Sequence, residues 1–247
     1  MDSTPSTGSL SGSTAGTNSP ETPSHFASLS LHKYDRLRLV HFPLEIQRLV
    51  RDLIRRHHPG GVQFERLYGV SYEFQLGGHP WRAGGGYSWR VLRLITKLLA
   101  ALLSAGWILE ASVDISRKRH DFDTLLFRQQ ELTPESYDWF CLSFNGRDFV
   151  TLVDPPQETE SAFLSMLEHK GWLHRDNDYY DLGFKLRGDP WTAKGQEEMR
   201  ARLLVLDIMQ FLEAFGWTVY ASVAQPSEDR HTRGDSMDTW HCRRAQN

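Results

Sequence analysis

One sequence feature limits the possible folds more than any other. Residues 72–85 read YEFQLGGHPWRAGG, and residues 182–195 read LGFKLRGDPWTAKG. Phe74, Leu76, Gly78, Pro80, Trp81, Ala83 and Gly85 fall on Phe184, Leu186, Gly188, Pro190, Trp191, Ala193 and Gly195 at a constant spacing of 110. The register continues without a gap to GWILEASV over GWTVYASV, and after a loop of different length DTLLFR matches DTWHCR. Upstream, at a spacing of 113, LSLHKYDRLRLVHFP lies over LSFNGRDFVTLVDPP. Many identities in one register mean that the body is two copies of one unit, and a repeat of this length sets the architecture before any motif does. The expected boundaries are a tail at 1–25, unit 1 at 26–132 and unit 2 at 137–244.

Each unit opens on a hairpin. In unit 2 the runs WFCLSF and DFVTLV flank Asn145-Gly146, a favoured two-residue turn. Pro43 or Pro156 then marks a helix start, and Ile46, Leu49, Val50 and Leu53 repeat on one helical face. Pro59-Gly60-Gly61 ends this helix in unit 1, and Gly171 ends it in unit 2. A strand of alternating apolar residues over 72–76 or 182–186 runs into the glycine-rich turn. A long helix follows, over 88–105 or 197–215, and Gly106 or Gly216 stands where a C-cap belongs. Two strands close the unit, from Trp107 and Asp123 or from Trp217 and Asp238. The expected fold is α+β: two tandem ββαβαββ repeats, antiparallel-rich, with helices on one face of each sheet and the units paired about a pseudo-two-fold.

The strand–helix–strand–strand order is similar to that of the SHS2-type module, which occurs in tandem in GyrI-like ligand-binding proteins. That likeness is of element order and carries no residues. The segments DRLRLVHFP, YEFQLGGHPW and GWILEASVDISRKRHDFDTLLFR resemble a group of eukaryotic, chiefly fungal, internally duplicated proteins. This second resemblance covers the body and implies no activity.

About half of residues 1–24 are Ser or Thr, too little apolar surface to offset the entropy of ordering, so disorder is expected there. Thr4-Pro5, Ser19-Pro20 and Thr22-Pro23 are possible proline-directed phosphorylation sites, although chance pairs in a solvated tail explain them more simply. The N-terminus lacks the apolar core of a leader, and no run reaches the ~20 apolar residues of a membrane span. Two cysteines, Cys141 and Cys242, suit a reducing compartment. An intracellular location, cytoplasm or nucleus, is expected. The net charge of −3 argues against a dominant nucleic-acid surface, which needs a concentrated basic face.

Four places in the sequence carry candidate chemistry. The turn GGHPWRAGGGYSW resembles a phosphate loop in its setting between strand and helix, yet lacks a lysine. Its second copy puts Glu197 and Glu198 where an anion would sit, so a structural corner is the plainer reading. Trp81, Arg82, Gly84 and Gly86 mark the place for an asymmetric site on unit 1, and Trp191 with Trp81 is a candidate ligand wall. His120, Asp121 and Asp123 could act as a base or bind a metal, but unit 2 breaks their spacing and a structural role for the repeated Asp-Thr is simpler. Arg51, Arg55, Arg56, His57 and His58, with 117–120, make unit 1 the more basic half, whereas Glu158, Glu160 and Glu168 make unit 2 acidic. No catalytic or metal pattern appears, and no cofactor is expected. The leading expectation is a non-enzymatic binding or adaptor protein. The alternatives are a small-ligand protein or enzyme with its site between the units, and anion binding on the unit 1 basic face.

Overall fold

A computed structural model describes residues 25–81, 88–115, 121–131, 135–174, 183–226 and 236–246. Unit 1 comprises β1 (Phe26–His32), β2 (Arg36–Val40), α1 (Leu44–His57), β3 (Val62–Tyr68), β4 (Ser71–Leu76), α2 (Ser88–Ser104), β5 (Trp107–Val113) and β6 (Asp121–Gln129). Unit 2 comprises β7 (Tyr137–Asn145), β8 (Phe149–Val153), α3 (Gln157–His169), β9 (Gly183–Lys185), one 3-10 turn at Pro190–Thr192, α4 (Gln196–Ala214), β10 (Thr218–Pro226) and β11 (Ser236–Ala245). Every strand pairing is antiparallel. The sheet orders are β3-β4-β2-β1-β6-β5 and β10-β11-β7-β8-β9, so the strands shared by the two copies run in the same sequence. The fold is α+β and duplicated.

Unit 1 has a strand that the periodicity does not reveal. In β3 no face is consistently apolar, and Phe64, Leu67 and Tyr68 are exposed. An edge strand that meets the core only through Val62 and α1 only through Glu65 is under little pressure to alternate, so the unit reads ββαββαββ. Pro43 and Pro156 sit one residue earlier than expected, at the N-cap, with extended backbone at φ −67° and −60°.

The Gly-x-Pro-Trp corner repeats bond for bond. Gly78 and Gly188 take φ of +75° and +78°, a conformation that favours glycine. Leu76 N donates to Asp35 O and Trp81 N to Tyr34 O. In unit 2, Leu186 N donates to Asp148 O and Trp191 N to Arg147 O. The indole N–H of Trp81 reaches Arg36 O at 3.0 Å, and that of Trp191 reaches Phe149 O at 2.9 Å. Each corner thus clamps its unit's strand-to-helix turn onto the opening hairpin.

Each sheet packs one face on its own helices. In unit 1, Leu29, Leu31, Leu37, Leu39 and Phe74 meet Val50, Ile54, Leu94 and Leu98. In unit 2, Phe140, Leu142 and Val150 meet Phe163, Leu167, Leu204 and Ile208. The other face of sheet 2 departs from the expected one-sided packing, because α2 lies across it. Leu92 and Trp89 cover Cys141 and Val153, and Thr96 Oγ1 stands 2.8 Å from His241 Nδ1. The layers therefore stack as sheet 1, α1 with α2, sheet 2, α3 with α4. α2, SWRVLRLITKLLAALLS, turns its wide apolar face to the unit 1 core and sets Trp89, Leu92, Arg93 and Thr96 against sheet 2. Among the described residues α4 makes no comparable contact with sheet 1, so this helix contact does not follow two-fold symmetry.

Candidate functional site

The units also meet at two sheet edges, β5 and β10. Facing edges shield backbone groups that would otherwise invite foreign strands. The Tyr220 hydroxyl accepts from Leu109 N at 2.8 Å, and its ring stands edge-on to Trp139, 5.2 Å between centroids. Burial raises the Tyr220 pKa, against the lowering effect of its bond to Leu109. Arg93 of α2 pairs with Asp154 beyond β8. Ala221 and Val223 of β10 belong to the core of unit 1.

Asp123 belongs to this seam. Its Oδ2 accepts from Ser112 Oγ and from Ala224 N of the other unit, each at 2.9 Å. Asp238 repeats the serine bond with Ser222, also at 2.9 Å, but is exposed. Asp123→Ala is expected to cost about 1–2 kcal/mol by orphaning a seam N–H, and Asp238→Ala much less, as chemical denaturation of the two variants will read.

The other candidates separate. Trp81 is 2% exposed and lies in the unit 1 core, so its ring cannot form a ligand wall. Trp191 packs on the separate unit 2 core against Phe144, at 5.0 Å, and only its half-buried edge reaches a surface cleft. That cleft, about 360 Å³, runs between the corner and α4 past Ala193, Glu198 and Arg202. A second groove of about 380 Å³ next to it is bordered by Arg147, Trp172, Arg187 and Glu197. The structure does not bring Trp81 and Trp191 together. Arg82, Gly84, Gly86 and His120 lie outside the described residues, as does the side chain of Asp121.

The basic helix end is largely committed. Arg51 bonds Glu65 at 2.8 Å and Tyr72 at 3.2 Å. His58 is buried, with Nε2 2.7 Å from Gly77 O. Arg55 and Arg56 remain exposed.

Three buried groups of reactive type have structural surroundings. Burial pushes the Cys141 thiol up to about 12 and raises that of Cys242; both are free. Burial pushes His241 down to about 3. The hydroxyl proton of Thr96 goes to Leu92 O, so His241 Nδ1–H donates to Thr96 Oγ1, and Nε2 has no partner among the described residues of this buried contact. Glu73, 1% exposed, sits on the outer face of sheet 1 among Arg36, Arg38 and Arg66. Burial would raise its pKa, but hydrogen bonds from Arg38 and Arg66 outweigh that and hold the carboxyl below its usual range. Among the described residues no group of three His, Cys, Asp or Glu could hold a metal, and no helix is long and apolar enough to cross a membrane.

Sequence reasoning missed the largest exposed apolar feature on a helix among the described residues. Met199, Leu203 and Leu206 of α4 are 52%, 55% and 57% exposed, with Met209 beside them at 43%. The spacing i, i+4, i+7 puts the first three on one stripe, opposite the buried Leu204, Ile208 and Phe211. The signal is the presence of apolar residues on both faces of a 19-residue helix.

One domain-family model matches the chain twice, over residues 25–128 and 138–243. The chain belongs to that family, in two copies. No curated protein and no solved structure matches it. The two matched spans coincide with the two sheets and their helices, so each family domain is one sheet-and-helix unit.

Proposed function

We propose that the protein is a non-enzymatic binding module of two family domains, and that its working surface is the outer face of α4. One observation carries this reading: three large aliphatic side chains in line, each more than half exposed, on a well-formed helix. A contiguous exposed apolar stripe of this kind marks an interaction site more often than an accident of composition. The structural roles of Asp123, His241, Cys141 and Cys242 support the non-catalytic part. So does the separation of Trp81 from Trp191.

The second reading, a small-ligand or enzyme site between the units, has less support, because Tyr220, Trp139, Thr96 and His241 fill the described seam. Anion binding on the unit 1 helix would rest on Arg55 and Arg56.

The test is native mass spectrometry of the tagged protein taken from its own cells, wild type against Leu206→Glu. Loss of the co-purifying partner with the fold intact supports the reading. Unchanged association, or turnover of a small molecule by pure protein that Asp123→Ala abolishes, overturns it.

A further inference from the structure

The repeat itself shows what covers such a helix face. At the spacing of 110, Met199, Arg202, Leu203 and Leu206 of α4 correspond to Trp89, Leu92, Arg93 and Thr96 of α2. Those four α2 residues make the contact with the back of sheet 2: Trp89 and Leu92 on Cys141 and Val153, Arg93 on Asp154, Thr96 on His241. The face that is covered in α2 is the face that is open in α4.

The complementary surface is repeated as well. On sheet 2 the footprint of α2 is one cross-strand row, Val153–Cys141–His241. On sheet 1 the matching row is Val40–Ser28–Leu126, paired in the same order. It faces away from the unit 1 core, is partly exposed, and offers neutral side chains of modest size. The turn after it is repeated too: His41 and Asp154 both hold positive φ, 62° and 57°. Charge does not oppose the match. Among the described residues Arg36, Arg38 and Arg66 pair with Glu73 and Asp35 on that side of sheet 1, and along α4 Glu197 and Glu198 pair with Arg200 and Arg202.

Resting on the reading above, we infer that the partner of α4 is a second copy of this chain. Its sheet 1 row, Val40–Ser28–Leu126, docks on Met199, Leu203 and Leu206, so that the contact between α2 and sheet 2 within one chain is repeated between chains. Each copy then has one helix face and one sheet face free. The contact is heterologous and propagates head to tail, into a closed ring or an open fibre.

The experiment is light scattering after size exclusion over rising protein concentration, with the full chain. Wild type is expected to gain mass with concentration. Leu206→Glu, which spoils the helix face, and Ser28→Arg, which spoils the sheet face, are each expected to run as single chains. An equimolar mixture of the two is expected to form a two-chain species and stop there, because it holds one intact helix face and one intact sheet face. Unchanged circular dichroism and melting qualify each variant, with Leu203→Glu and Val40→Lys as replacements for one that misfolds. A wild type that stays single at every concentration overturns self-docking, and so does a Ser28→Arg that assembles like wild type, the result expected if α4 pairs with α4. A mixture that stays single overturns it as well. If purified wild type is single but Leu206→Glu still strips a partner in cells, self-docking falls and the binding surface stands; if neither changes, both fall.

Discussion

Trp81→Ala is expected to destabilise the protein by about 3–5 kcal/mol, the usual cost of emptying a fully buried tryptophan site, and Trp191→Ala by about half as much. The two residues occupy the same place in the repeat and make the same indole hydrogen bond, to Arg36 O and to Phe149 O. Their surroundings differ. Trp81 is buried within the larger core, which continues into β10 of the other unit through Ala221 and Val223. Trp191 keeps one edge on the cleft that runs along α4, so part of its apolar area never leaves water. Urea denaturation of both variants reads the difference. Equal losses would mean that the two corners carry equal load and that the asymmetric stacking of the units does not reach them.

Acidification is expected to weaken the joint between the units before it touches either core. His241 has a folded pKa of about 3 against an ordinary 6.5. Between those values the unfolded chain takes a proton and the folded chain does not, so stability present above pH 6.5 is lost as the pH falls. The slope is about 1.4 kcal/mol per pH unit, hence about 2 kcal/mol by about pH 5. The cause is the buried contact of α2 with sheet 2: a protonated ring would put an Nε2–H where no acceptor stands among the described residues. His241→Leu installs the residue type that the repeat has at the matching position, Leu126, and is expected to remove this part of the pH dependence. Denaturation midpoints of wild type and variant at neutral pH and near pH 5 decide it; a wild type with no loss by pH 5 would show that the ring has access to water. Glu73 works in the same direction at lower pH, because a carboxyl held below its usual range gives up its stabilisation when it is protonated.

The duplication, the order of elements from the opening hairpin to the closing strands, and the Gly-x-Pro-Trp corner were all legible in the residues, since each is written in local periodicity or in turn chemistry repeated at fixed spacing. β3 was not, because an edge strand that touches the core only at Val62 carries little alternation. The candidate residues fared unevenly for a related reason. Trp81 and Trp191 are equivalent in sequence, and Asp123 and Asp238 sit in the same repeated Asp-Thr pair. Only the packing of unit against unit tells which of each pair is buried or bridges the seam.

The sequence by itself determined that the chain is two copies of one α+β unit, because identities in one register need no third dimension to be read. What only the tertiary structure decided is that the copies are not used alike: α2 lies between two sheets, while the same face of α4 remains open. That choice depends on which surfaces meet across more than a hundred residues of chain. Hydrophobic burial acts between surfaces wherever the chain brings them together, so no local pattern could have specified it.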